Sequence, residues 1–158
     1  MINKIFLCIA LSNLSNTTMP MSKRGVSTAC EQAAHIIETS EKIDVSPFVF
    51  SALIWHESRW LSNSVSKVRA CGLTQVLDKY SDYSCKQLQN PKVSITEGAS
   101  FLHTWLVKKK NIKISLKCYN SGYACSSHSY AQTILKKSEL LKKEYLQVQK
   151  TIIGDNNE

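Results

Sequence analysis

Proline and glycine are scarce, at three and five residues in a chain of 158. No block is low in complexity and no internal repeat recurs, which excludes a collagen-like chain, a flexible linker or a solenoid. No apolar run is long enough to span a bilayer as a helix. Cysteines never stand at C-x-x-C spacing, and no second histidine lies at metal spacing from His35, so zinc ribbons, redox motifs and histidine metal sites find no support. No cofactor or metal constellation is visible. Alternating strand patterns are also rare, which points to a mainly α fold. Acidic residues are the minority, 12 against 20 lysines and arginines, for a formal net charge of +8. That balance suits an acidic partner such as nucleic acid, an anionic envelope or a membrane surface. The lysines are spread over the second half of the chain and no recognition-helix motif accompanies them, which argues against nucleic acid.

What is present amounts to one domain with a real core, 43% hydrophobic and 20% charged. Six cysteines in so short a chain suit disulfides in an oxidising compartment. The expected pairs are Cys71–Cys85 and Cys118–Cys125, with Cys30 left over, although spacing does not encode connectivity. Residues 1–25 begin with Lys4 and an apolar run from Ile5 to Leu11, which reads as a secretory signal or a disordered tail. A domain would then occupy 26–150, and 151–158 would be a polar tail.

Within the domain, Thr28 and Glu31 have capping-box spacing and are expected to open a first helix that fades near Lys42. Ser46 and Pro47 open the next helix. Ser94 and Glu97 are expected to open another, closed by Lys108, Lys109 and Lys110 at its negative end. Ile114 to Gly122 reads as a short apolar segment running into a turn, and Tyr130 to about Gln149 as a last helix.

The helix after Pro47 ends in Ala52-Leu-Ile-Trp-His-Glu-Ser-Arg-Trp60, and the chain is organised around it. Phe50, Leu53 and Ile54 precede Glu57 by seven, four and three residues, which puts a carboxyl on a large apolar face. Burial there raises its pKa toward the range of a general acid. A glutamate that merely ends a helix in solvent is the commoner arrangement. The residues that follow tip the balance toward the acid.

Glu57-Ser58, then Val65-Ser66, then Gly72-Leu73-x-Gln75 resembles the E-S…A-x-S…G-L-M-Q block of the soluble lytic transglycosylases, relatives of goose-type lysozymes. Asn90-Pro91 with Ser94-Ile95-x-x-Gly98-Ala99-x-x-Leu102 is similar to that family's N-P…N-I-x-x-G-x-x-Y-L helix. Cys118-Tyr119-Asn120-x-Gly122 is similar to its A-Y-N-x-G block, and Tyr130 falls where a later tyrosine is expected. The four motifs stand in the right order, and the resemblance covers roughly residues 28–140. Departures are Arg69 for a common glycine, Thr74 for methionine, Ser94 for asparagine, and Cys71 and Cys118 for other small residues.

The resemblance implies a lysozyme-like single domain with helices around a central buried helix that carries the catalytic glutamate. It implies that Glu57 cleaves the bond between N-acetylmuramic acid and N-acetylglucosamine, with a 1,6-anhydro product. Tyr119 and Asn120 would position the sugar, while Ser66, Gln75 and Tyr130 would line the cleft. Asp78 and Asp82 match no second catalytic position. The implied partner is the peptidoglycan glycan strand, with no nucleic acid, no cofactor and no metal. The expected protein is a monomer, periplasmic or exported, or carried on a virion. It would serve a secretion or conjugation apparatus or a bacteriophage. A hydrolytic muramidase of the same fold and a non-catalytic peptidoglycan-binding assembly protein are the competing readings.

Overall fold

The computed structural model describes residues 1–154, and it is mainly helical with a single short hairpin. The sequence beyond Gly154, in the expected polar tail, lies outside the described residues. Helix α3, Pro47–Ser58, has Ser46 as its cap and proline at its start, as expected. Most of its residues are buried, and Phe50, Leu53 and Ile54 are fully so. It packs against α2, Lys23–Lys42, and α7, His128–Gly154. α5, Pro91–Lys109, and α6, Ile112–Ser121, pack on each other, α5 also meeting α2 and α6 meeting α7.

The segment expected to be a secretory signal or a disordered tail is ordered, and it includes a helix that packs on the domain. α1, Lys4–Leu14, lies between α2 and α7. Leu7, Ala10 and Leu11 are fully buried, as is Met19 beyond the helix. Cys8 is bonded to Cys30, so Cys30 is not left over. Backbone and side chains tie the segment down further. The Asn3 N–H donates to the Tyr145 hydroxyl at 2.8 Å, and Asn13 Nδ2 donates to Glu144 at 2.7 Å. Trp55 Nε1 donates to the Pro20 carbonyl at 3.2 Å. Composition alone cannot separate these cases, because a short apolar run reads the same whether it is an export signal or a short buried helix. At the other end, α7 runs past residue 150 to Gly154.

Two expected capping boxes are interior residues instead. α2 starts at Ser22, whose hydroxyl accepts from the Gly25 N–H at 3.1 Å, and Thr28 sits one turn inside. α5 is capped by Asn90, which accepts from the Lys92 and Val93 N–H groups at 3.1 and 3.2 Å. Ser94 is buried within it. A Ser-x-x-Glu spacing is satisfied by chance inside many helices, and here a better cap stood upstream each time. The reciprocal box is Ser84 with Gln87, at the start of the short α4, Cys85–Leu88. The stretch expected as an apolar segment and turn is helix α6, capped by Asn111.

Between α3 and α4 the chain forms strands β1, Ala70–Cys71, and β2, Val76–Leu77, paired antiparallel. The turn joining them, residues 72–75, requires glycine at its start. Gly72 has φ +75°, and a Cβ there would fall 1.9 Å from the Leu88 carbonyl oxygen. The Cys71–Cys85 disulfide ties the hairpin to α4, and Cys118–Cys125 closes the loop after α6, both as expected.

The α1 staple should matter to folding. Replacing Cys8 and Cys30 together by alanine frees a 22-residue loop, and is expected to cost roughly 3 kcal/mol and lower the midpoint by about 10 °C in calorimetry. A thiol titration of the denatured, unreduced protein should find no free cysteine.

Candidate active site

Glu57 occupies the last turn of α3, and the chain leaves that helix sharply. Arg59 and Trp60 both take left-handed backbone conformations, with φ of 53° and 63°. Ser58 is buried and its hydroxyl donates to the Leu73 carbonyl at 2.9 Å, which binds the end of the helix to the hairpin turn. The carboxyl of Glu57 is largely withdrawn from water yet faces a cleft of about 790 Å³. Burial pushes its pKa up to about 7; a hydrogen bond from the Tyr130 hydroxyl pulls the other way and loses.

The turn opposite is locked from three sides. Thr74 is fully buried; its N–H donates to Ser94 Oγ at 3.1 Å and its hydroxyl to the Ser94 carbonyl at 2.8 Å. Gly98 makes room for it, since a Cβ there would lie 2.4 Å from the Thr74 side chain. From α6, the Tyr119 hydroxyl donates to the Thr74 carbonyl at 2.8 Å.

Ser66, Gln75, Tyr119 and Asn120 line the cleft together with Glu57. Their loop bonds and their cleft positions coexist. Gln75 Nε2 donates to the carbonyls of Ser64 and Gly72, at 3.2 and 3.0 Å, so the amide oxygen is what Gln75 can offer a ligand. Ser66 Oγ accepts from the Ala70 N–H at 3.0 Å, which leaves its own proton to donate. Asn120 Oδ1 accepts from the Ser127 hydroxyl, leaving its amide nitrogen.

Tyr130 does not line the cleft as expected. It is buried behind Glu57, with the His56 ring edge-on at 4.9 Å. Burial first, and then the nearby Glu57 charge, push the phenols of both Tyr119 and Tyr130 well above the usual range, so both are neutral donors. Burial and Arg59 lower the pKa of His56, keeping that ring neutral near the site.

No other carboxyl lines the cleft among the described residues. Asp78 instead takes both Arg69 Nε, at 2.7 Å, and Arg69 Nη2. The cleft wall also holds residues that sequence reasoning missed, notably Tyr80, Phe101, Trp105, Lys108 and Tyr123. They carry no motif; their signal is aromatics and a cation on α5 and in turns, which become a wall only once α5 and α6 are packed.

A family model described as the transglycosylase SLT domain matches residues 34–142. The chain belongs to that family. Comparison with curated proteins gives no match. Membership makes this a domain of a glycosidic-bond-cleaving family that acts on peptidoglycan. The matched span takes in α3 to α6 and every cleft residue named above, and it leaves α1 outside.

The raised pKa of Glu57 sets the sign of a stability effect. Below pH 4.5 the group is protonated in folded and unfolded chains alike; between 4.5 and about 7 only the folded chain keeps its proton. Folding therefore loses stability as pH rises through that window, by up to roughly 3 kcal/mol. Glu57→Gln should melt higher than the parent at pH 8, with the gap closing toward pH 4.5. Tyr130→Phe removes the bond that favours the carboxylate, so the Glu57 titration, followed by carboxyl NMR, should move above 7.

Proposed function

We propose that this SLT domain is a lytic transglycosylase that cleaves the β-1,4 bond between N-acetylmuramic acid and N-acetylglucosamine. The observation that carries the reading is one largely buried carboxyl, poised at about 7, in a cleft with no second acid among the described residues. Ordinary glycosidases use two carboxyl groups, ~5–9.5 Å apart. A single group suffices if it acts twice. Glu57 gives its proton to the glycosidic oxygen as the C1–O bond breaks, and the sugar beyond leaves as an alcohol. The resulting carboxylate takes the proton of the muramoyl C6 hydroxyl while that oxygen closes on C1. The 1,6-anhydro ring forms, no water is consumed, and Glu57 ends protonated as it began.

In this scheme Tyr130 donates to the carboxylate stage and limits its cost. Ser66 as donor, Gln75 as acceptor and Asn120 as donor offer hydrogen bonds to hydroxyl and N-acetyl groups of the strand. Tyr119 holds the turn that carries Gln75. The three disulfides support work outside the cytosol, in the periplasm, after export or on a virion. There the chain would open the wall locally, as a monomer, for a secretion or conjugation apparatus or an injecting phage. The basic charge suits the anionic wall.

Digestion of purified peptidoglycan, with products weighed by mass spectrometry, tests this directly. The parent should release anhydromuropeptides, and Glu57→Gln should release fewer by at least about a hundredfold. Activity should fall about tenfold per pH unit above 7, where the proton is lost. Products one water heavier would make the protein a muramidase. Binding without fragments, from oxidised and reduced samples alike, would make it a wall-binding assembly protein.

A further inference from the structure

The cleft continues past Glu57 to a corner that the reaction does not use. Trp105, on α5, and Tyr123, on the turn after α6, meet edge to face with ring centroids 5.2 Å apart. Lys108 stands one turn along α5 from Trp105. Its Nζ lies 5.2 Å from each ring centroid and 3.4 Å from the Tyr123 hydroxyl. All three side chains line the cleft.

Three features distinguish this corner from ordinary packing. Tyr123 is 81% exposed, and yet it is held by the loop that the Cys118–Cys125 disulfide closes. An exposed ring on a cross-linked loop is pre-organised for contact. Among the described residues the ion pairs are Lys42–Glu38 and Arg69–Asp78, so Lys108 has no carboxylate of its own. Finally, among the described residues Lys108 is the one cation lining the cleft, and Glu57, its one carboxyl, is largely protonated below pH 7. Lys109 shares the last turn of α5 with it, so the negative end of the helix has a second cation.

Resting on the proposed function, we propose that Trp105, Lys108 and Tyr123 form an outer binding site for a carboxylate borne by the muramoyl unit of the strand. The rings supply apolar faces for a sugar, and the ammonium supplies the counter-charge. Two sources share this chemistry: the lactyl carboxylate of stripped strands, and a carboxylate of the peptide stem where the lactyl group is amide-linked.

The test places Lys108→Met and Lys108→Arg in the full chain carrying Glu57→Gln. Binding is measured by co-sedimentation with stem-bearing sacculi and with amidase-stripped glycan, each with carboxylates free or converted to carboxamides. Lys108→Met should weaken binding to the free-carboxylate forms about three- to tenfold, an effect that shrinks with salt, while Lys108→Arg stays near the parent. Amidation should weaken the parent by a like factor and leave Lys108→Met unchanged. An effect on stripped glycan alone assigns the lactyl group, on sacculi alone the stem, and on both any muramoyl carboxylate. No effect of Lys108→Met, or an equal loss on amidated material, overturns the site. Lys108-dependent binding with no turnover by the Glu57 protein would overturn the proposed reaction and leave this site standing. Turnover without a Lys108 effect would do the reverse.

Discussion

The withdrawal of a single carboxyl from water is the constraint on which this structure turns. Glu57 shares its face with Phe50, Leu53 and Ile54, all fully buried. Holding an acid there disfavours its charged form, and the pKa of about 7 records that cost. The neighbours respond to the same group. Tyr130 donates to it, and its charge helps keep Tyr119 and Tyr130 protonated. A group that can hold and release a proton near neutrality therefore has two phenols beside it that do not titrate with it.

The carboxyl is of use only if the opposite wall stays put, and the hairpin turn 72–75 is held by Ser58 from α3, Ser94 from α5 and Tyr119 from α6. The departures from the family pattern make sense as parts of this clamp. Thr74 and Ser94 are two substitutions that meet, each satisfying the polar group the other buries. Arg69 stands at φ +63°, which explains why glycine is common there, and its guanidinium binds Asp78. Cys71 and Cys118 are each half of a disulfide that anchors a cleft loop.

Much of the fold was legible in the chain. The cap and proline of α3, its apolar face and the close of α5 at Lys110 followed from local patterns, and the pairs Cys71–Cys85 and Cys118–Cys125 were expected without spacing fixing them. Glu57 stood out on its apolar face, and the family resemblance pointed to Ser66, Gln75, Tyr119 and Asn120, which the structure brings to one cleft with it. Helix starts at Thr28 and Ser94 misled, because a capping spacing says nothing about a stronger cap upstream. The packing of the first 25 residues was not legible, for a different reason. Leu7, Ala10 and Leu11 find their partners on α2 and α7, and a contact with residues far along the chain leaves no periodic mark.

By itself, then, the sequence determined the helical class, the buried helix with its terminal carboxyl and the family motifs, since each depends on spacing within a few turns. Tertiary structure alone decided that Cys8 pairs with Cys30 and that Tyr130 stands behind Glu57 instead of on the cleft wall. It also decided that Trp105, Lys108 and Tyr123 converge. Each of these depends on how separate helices cross, which is set by the packing of side chains distant in sequence and not by local pattern.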